Sequence, residues 1–249
     1  FFAKDIINTR PEINPLADKD ILDTELILKD LETVEKRLNS LEKDAKTGDK
    51  GILKELEIMN KAKQFLADGK VLIEQGLDED ELKIIKQYQL LTLKPRIYLL
   101  NGKDEEVSKE ILENFQKNNW PFLIIDILIE SEAVGLNKEE RSTLGLPSDS
   151  ELDILIKKAY EILNLLTFFT TGPDETRAWT LKKNQKAPQA GGVIHSDFEK
   201  HFIKAEVINW KNLLEVKGFV NAREKGLIRT EGKDYIIQDG DVIEIKHNA

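Results

Sequence analysis

The amino-acid sequence predicts an α/β fold that is interrupted by a helical hairpin and followed by an α+β domain. Three observations support this prediction. Apolar residues in the first third of the chain recur at alternating spacings of four and three, as in a helix with one buried stripe. Near the middle, two short apolar segments flank an amphipathic helix. After residue 164, several short β-like segments surround a single helix.

The composition is that of a globular protein with an acidic front part. The chain has 249 residues, enough for one large or two modest domains, and a net charge of −9. Residues 165–249 carry 13 Lys or Arg and 12 Asp or Glu, a net +1, so residues 1–164 carry −10. Neither part is as basic as a dedicated nucleic-acid-binding domain. The absence of cysteine excludes disulfides and favours a reducing, cytoplasmic compartment, and no apolar run approaches the roughly 18 residues of a membrane span.

The first third of the chain predicts two antiparallel helices. Residues 1–20 mix extended and turn signals, and we expect Pro11 and Pro15 to prevent a continuous helix there. From Ile21 the helical pattern begins, and residues 46–51 are a turn. The apolar stripes are Ile27, Leu31, Val34, Leu38 and Leu41 in the first helix and Ile52, Leu56, Met59 and Leu66 in the second. Each stripe is narrow, so we expect a largely solvated hairpin that projects from the body of the protein.

The middle of the chain predicts a parallel βαβ unit. Residues 76–95 are typical of a capped helix that ends before Pro95. Residues 96–101 and 120–130 are apolar and predict two buried strands, with an amphipathic helix over residues 105–119 between them. A further amphipathic helix follows, with Ser150 as its N-cap.

The last 85 residues predict short strands around one helix. Residues 176–181 alternate as in a strand, and residues 183–192 are typical of a loop. Residues 196–208 predict a helix that runs into a strand. Residues 231–248 predict a hairpin-like pair of strands with a turn at Asp239–Gly240.

The stretch LLNGKD, residues 99–104, is a candidate ligand-binding loop. Its Asn follows a predicted parallel strand, and open α/β sheets bind ligands at the carboxyl ends of their strands. In GTPase-like proteins an N-K-x-D loop at this place reads the edge of the nucleotide base. On its own, the same Asn-Gly pair is typical of a plain turn, and from these residues alone the turn is the better interpretation.

Two further patterns have chemical and structural interpretations. The triplet His195–Ser196–Asp197 suggests a catalytic triad, but adjacent residues at a helix start point in different directions. We expect Ser196 to be an N-cap in a capping box with Glu199, His195 to precede it, and the Gly191–Gly192 pair to form the turn before the helix. Asp239–Gly240–Asp241 lacks the other ligands of a calcium loop, so a turn is the better interpretation. We therefore predict no catalytic and no metal-binding residue in the chain.

A third pattern combines aromatic and basic residues. Such a combination can form a face for RNA, because bases stack on aromatic rings and cations attract phosphates. The residues are Trp179, Trp210, Tyr235, Arg177, Lys182 and Lys183. For any one of the aromatic side chains, burial in a core is the better interpretation, and the basic residues can still line a surface.

Several long motifs resemble one known family. FFTTGPDETRAWT, KAPQAGGVIHSDFEKHFIKAEVI and EGKDYIIQDGDVIEI closely resemble the TGS domain of the YchF-type Obg-like ATPases, and the upstream segments LLTLKP, YLLN and DILDTELILKDLETVEKRL extend the resemblance. It implies a partial P-loop NTPase sheet over residues 1–20 and 95–164. It also implies an inserted antiparallel coiled-coil hairpin over residues 21–94 and a ubiquitin-like β-grasp TGS domain over residues 165–249.

The resemblance also implies a function. The family hydrolyses ATP in preference to GTP with Mg²⁺ and associates with ribosomes, so we expect the hairpin and the TGS domain to bind the ribosome or rRNA. We expect a cytoplasmic monomer without membrane association or DNA specificity. By resemblance, Asn101, Gly102, Lys103 and Asp104 bind the nucleotide base. The family usually has N-x-x-E here, and Asp104 is closer to the GTPase form, which makes GTP a possible substrate.

Two departures from the family limit what this chain is expected to do alone. The phosphate-binding motif G-x-x-x-x-G-K-[ST] and the switch segments for Mg²⁺ are absent from the 249 residues. We expect them to lie ahead of Phe1, and we expect the chain alone not to hydrolyse ATP. Near the start, Asn8 stands in a segment where the family commonly has a His. The alternative is a non-catalytic module that lacks a P-loop and binds ribosomes, RNA or proteins.

Overall fold

The computed structural model describes residues 13–172 and 175–248. The chain divides into two compact units, Phe1–Leu152 and Asp153–Ala249. Asn8 and Pro11 lie outside the described residues. No helix within the described ranges is long and apolar enough to cross a membrane.

The first helix begins earlier than the sequence predicts. Helix α1 spans Pro15–Asp44, and the side chain of Asn14 caps it by accepting the N–H of Ala17. The predicted helix start at Ile21 is too late, because proline is well tolerated at the first helical position, where its missing N–H needs no partner. Leu16, in this first turn, packs against the core of the neighbouring β-strands.

The second helix packs against the first as expected. Helix α2, Lys50–Ala67, follows a short turn at Ala45–Thr47 and is capped by the side chain of Asp49. The shared core contains Ile27, Val34, Leu38, Leu41, Ile58, Met59, Ala62 and Leu66. This confirms the predicted pair of packed helices, and the coiled-coil geometry stays a prediction.

The segment after the hairpin is less regular than predicted. Helix α3, Glu79–Ile85, starts with a capping box between Asp78 and Glu81. The predicted continuation of this helix to residue 94 is wrong, because Gln89 has a φ of +50° and ends the helical path. Two short 3₁₀ turns follow instead.

The predicted parallel βαβ unit is confirmed. Strand β1, Tyr98–Asn101, pairs parallel with β2, Phe122–Ile125, and helix α4, Lys109–Lys117, lies between them in sequence. Phe115 of α4 is fully buried against Leu100 and Val107. The two strands therefore end at the same edge of the sheet.

The second strand is shorter than predicted. It ends at Ile125, and helix α5 occupies Ile127–Glu132. Asp126 starts this helix because its side chain accepts the N–H of Ile129 at 3.0 Å. Helix α6 then spans Lys138–Thr143.

The last helix of this region, α7, spans Glu151–Ile162. The Ser150 Oγ accepts the N–H of Leu152 at 3.1 Å, as predicted for an N-cap.

The second unit is built on a five-stranded mixed sheet. The strands are β3 Leu165–Thr171, β4 Thr176–Lys182, β5 Phe202–Asn209, β6 Arg229–Glu231 and β7 Asp241–His247. Their order is β4-β3-β7-β5-β6, with β3 and β7 parallel and the other pairs antiparallel. The predicted hairpin over residues 231–248 is wrong, because β6 and β7 each pair with β5 and not with each other.

Four short helices follow β4 in the described part of this unit. They are α8 Ala187–Ile194, α9 Ser196–Lys200, α10 Trp210–Glu215 and α11 Phe219–Glu224. The predicted loop over residues 183–192 is therefore largely helical. The Gly191–Gly192 pair is inside α8 and is not a turn. It permits close packing, because a Cβ on Gly191 would lie 3.2 Å from Phe198, and one on Gly192 would meet the carboxyl group of Glu199.

The turn before β7 needs glycine at position 240. Gly240 has a φ of +82°, and a Cβ there would lie 2.5 Å from Cδ1 of Trp210. We expect Gly240→Ala to lower the free energy of unfolding by about 2 kcal/mol through backbone strain and overpacking. Urea denaturation followed by circular dichroism measures this. Gly232→Ala is the control, since its Cβ would meet no atom within 4 Å; equal stability of the two variants would contradict the prediction.

Candidate functional site

The candidate site lies where β1 and β2 end. The backbone N–H of Gly102 donates to the carbonyl oxygen of Ile125 at 3.1 Å, which extends the parallel pairing by one residue beyond β1. The chain leaves the sheet at this point toward Lys103. The loop 101–104 therefore starts at the carboxyl edge of the sheet, as the sequence predicts.

Asn101 is held in a fixed orientation at this edge. The residue is only 7% exposed, and its Oδ1 accepts the backbone N–H of Ile127 at 3.2 Å. Within the described part of the chain its Nδ2 has no hydrogen-bond partner, and this atom is not among the fully buried unpaired ones. The amide thus braces the start of α5 with its oxygen and keeps its N–H groups available to a ligand.

The other three predicted residues are arranged differently. Gly102 is buried and has a φ of +152°, whereas Lys103 and Asp104 are exposed. The N–H of Lys103 donates to Oε2 of Glu106 at 2.9 Å, and this contact closes a short turn at Asp104–Glu106. The structure therefore places an ordered Asn-Gly pair beside two exposed charged side chains.

A carboxylate from a distant part of the sequence supports the same edge. Oε2 of Glu151, at the start of α7, accepts the backbone N–H of Asp126 at 2.9 Å. Burial raises the pKa of the Glu151 carboxyl, and the negative charges of Glu130, Asp126 and Asp104 act in the same direction. The Asp126 N–H opposes this shift by stabilising the charged form.

A buried arginine balances part of this negative charge. Arg141, 3% exposed, forms an ion pair with Glu130 and donates from Nε to the carbonyl oxygen of Pro147 at 2.9 Å. Ser150 donates to the second carboxylate oxygen of Glu130 at 2.7 Å. Burial acts to raise the pKa of Glu130, but the hydrogen bonds from Ser150 and Arg141 outweigh it and hold this pKa below its usual value. Glu130 therefore bonds to two other segments of the chain, one through Arg141 and one through Ser150.

Sequence analysis did not identify Asp126, Arg141 or Glu151. The sequence feature that could have pointed to this part of the site is Asp126, a charged residue inside the otherwise apolar segment 122–129. A buried strand rarely has an unpaired carboxylate at its centre, whereas a helix N-cap is often an Asp.

The His195–Ser196–Asp197 triplet lies at the start of α9, where Nδ1 of His195 is 3.5 Å from Oδ2 of Asp197. His195 is exposed and is itself the N-cap of α9, because its Nδ1 accepts the N–H of Asp197 at 3.3 Å. The expectation that Ser196 is the cap is therefore wrong by one residue. The capping-box pattern misplaces the helix start, since Ser196 is already the first helical residue.

The Asp239–Gly240–Asp241 turn is a structural element. Oδ1 of Asp239 accepts the N–H of Thr167 at 2.9 Å. The buried Asp241 accepts the hydroxyl of Tyr235 at 2.7 Å and the N–H of Gln238 at 2.9 Å. Among residues 13–172 and 175–248, no group of three or more His, Asp or Glu side chains is arranged to hold a metal ion.

The three aromatic residues of the predicted RNA-binding set differ in their surroundings. Trp179 and Tyr235 pack at the edge of the main core, and Nε1 of Trp179 donates to Thr170 at 2.8 Å. The guanidinium carbon of Arg177 lies 4.2 Å from the ring centroid of Trp179. Trp210 is 40% exposed and packs beside Gly240. An RNA-binding role of these residues stays a prediction.

Comparison with known proteins gives consistent similarities. A family model described as "YchF-GTPase_C: Protein of unknown function (DUF933)" matches residues 165–248. The chain is 40% identical to the "Ribosome-binding ATPase YchF" of Bacillus subtilis, covering 100% of this chain and 71% of that protein. It is 37% identical to "Obg-like ATPase 1" of Xenopus laevis, covering 100% of this chain and 66% of that protein. The solved structure of the Schizosaccharomyces pombe YchF GTPase is similar at a TM-score of 0.80 and 32% identity, covering 97% of this chain and 68% of that one.

Proposed function

The chain belongs to the YchF family, and from this premise we propose that it contains the base-reading loop and the ribosome-binding parts of a cytoplasmic nucleotide hydrolase. Its substrate is ATP, with GTP as the alternative. Relatives named ribosome-binding ATPases support the partner. The helical hairpin and the TGS domain are the proposed contact surfaces, with domain limits at residues 21–94 and 165–249.

The orientation of Asn101 is the observation that supports nucleotide binding. A buried amide whose oxygen is already bonded to Ile127 presents its N–H groups in one direction at the sheet edge. A purine offers acceptor nitrogens that such a donor can bind. Because the side chain is fixed before the ligand arrives, little conformational entropy is lost on binding.

Asp104 is the residue that we propose to distinguish the two bases. Its exposed carboxylate accepts hydrogen bonds and donates none when ionised. Guanine presents two adjacent N–H donors on its Watson–Crick edge, whereas adenine presents one donor beside an acceptor. A carboxylate at this place therefore favours GTP relative to a loop without it. We assign no phosphate or Mg²⁺ contact to the described residues.

Replacing Asn101 with Ala tests this function. We expect Asn101→Ala to weaken ATP binding by the full-length natural protein about tenfold or more, because one hydrogen bond to the base and the brace on Ile127 are lost together. Fluorescence titration with ATP and with GTP measures the two dissociation constants.

Asn114→Ala is the matched control, since the side chain of this half-buried asparagine on α4 bonds only to the helix backbone. An Asn101→Ala protein that binds both nucleotides as tightly as this control would contradict the proposal. Co-sedimentation with ribosomes in the absence of any nucleotide binding would instead support the non-catalytic interaction module.

A further inference from the structure

Two consecutive backbone amides at the end of β2 are each held by a side chain from elsewhere in the chain. The N–H of Ile127 donates to Asn101 at 3.2 Å, and the N–H of Asp126 donates to Glu151 at 2.9 Å. Asn101 and Glu151 are 50 positions apart in sequence, yet they accept the backbone N–H groups of two neighbouring residues in one turn. The orientation of Asn101 therefore depends on a turn that Glu151 also holds.

The position of Glu151 is electrostatically unfavourable in other respects. Its carboxylate is partly buried, and the negative charges of Glu130, Asp126 and Asp104 repel it. The hydrogen bond from the Asp126 N–H is the contact that compensates for this. We therefore attribute the presence of this carboxylate to the turn that it holds through the Asp126 N–H, and not to a contribution to overall stability.

We infer that Glu151 is a positioning residue of the base-reading loop: by accepting the Asp126 N–H it fixes the 126–127 turn, and the turn fixes the amide of Asn101. This inference rests on the proposed function. Glu151 itself touches no nucleotide. Without its acceptor, the turn populates other arrangements, and the affinity for the base falls in proportion to the fraction of molecules in which Asn101 is correctly oriented.

Two substitutions separate the acceptor of Glu151 from its charge. In Glu151→Gln, a carbonyl oxygen of nearly the same reach remains, so the Asp126 N–H keeps its partner. In Glu151→Ala, both the acceptor and the charge are lost. Asp153→Ala removes one carboxylate from the same helix end without touching the turn, and it serves as the control.

Amide hydrogen exchange of the 249-residue chain is the first measurement. In Glu151→Ala we expect the N–H of Ile127 to exchange about tenfold faster, since it is released along with the Asp126 N–H that Glu151 bonds directly. In Glu151→Gln and Asp153→Ala we expect it to exchange as in the wild type. Unchanged exchange at Ile127 in Glu151→Ala, or fast exchange in Glu151→Gln, would overturn the inference. If Glu151→Ala does not fold, Glu151→Asp replaces it, because the shorter side chain withdraws the acceptor.

ATP titration of the full-length natural protein is the second measurement. We expect Glu151→Ala to weaken ATP binding about tenfold, comparable to one lost hydrogen bond, and Glu151→Gln to restore it to within about twofold. If Asn101→Ala weakens ATP binding and Glu151→Ala does not, only the present inference fails. If Asn101→Ala leaves ATP binding unchanged, the proposed base site fails, and the role of Glu151 in it fails as well.

Discussion

Replacing Arg141 with Met is expected to lower the free energy of unfolding of the first unit by about 4 kcal/mol. The guanidinium is almost completely buried, is paired with Glu130 and also bonds to the carbonyl oxygen of Pro147. Methionine fills a similar volume but provides no donor, so the partly buried Glu130 carboxylate keeps only Ser150 and the backbone N–H of Glu151 to compensate its charge. The loss in free energy of unfolding arises mainly from the charge of Glu130, which has lost its cationic partner, rather than from lost packing.

Urea denaturation, followed by hydrogen exchange of amides in α5 and α6, measures the loss of stability. Lys138→Met is the control, because it removes an equal charge from the same helix at an exposed position that pairs with Asp149. The double variant Arg141→Met with Glu130→Met should recover most of the loss, since removing both charges leaves none unpaired. An Arg141→Met protein as stable as Lys138→Met would show that the pair contributes nothing.

Replacing Asp30 with Ala is expected to lower the free energy of unfolding by about 3 kcal/mol. Asp30 lies on α1 and is 2% exposed. Its two carboxylate oxygens accept the backbone N–H groups of Leu91 and Thr92, both at 2.7 Å. Alanine leaves two buried donors without partners and releases the segment before β1 from the hairpin.

Asp30→Asn should have an intermediate effect, because its amide keeps one acceptor for the two donors. Thermal and urea denaturation of the three proteins give the order of stability. Glu25→Ala, on the exposed side of the same helix, is the matched control. An Asp30→Ala protein that unfolds together with this control would contradict the predicted role.

The spacing of apolar residues was sufficient to predict the helices and strands whose contacts are close in sequence. The stripes of the two long helices and the parallel pair β1–β2 are confirmed because their spacing alone determines which side chains are buried. Asn101 was identified for the same reason, as a polar residue at the end of a strand. The nucleotide role of residues 101–104 stays a prediction.

Sequence reasoning failed where a distant contact decides the local structure. Residues 120–130 form one apolar run, and the change from strand to helix at Asp126 depends on contacts with Asn101 and Glu151, which are 25 residues away on either side. Likewise, β6 and β7 are separated by a short segment that predicts a hairpin. The insertion of β5 between them is set by its register with both strands.

Helix α1 connects the hairpin to the strand that precedes the loop at residues 101–104. Its 30 residues extend about 45 Å at 1.5 Å per residue. Its first turn, through Leu16, packs in the core formed by Leu100 and Phe115, next to the strand that ends at Asn101. The helix contains no glycine, and its single proline is at the first position, so it lacks the usual sites of a kink. A tilt of α1 by about 5° about its first turn would displace the far end of the hairpin by about 4 Å. The size of this displacement follows from the length of the helix alone.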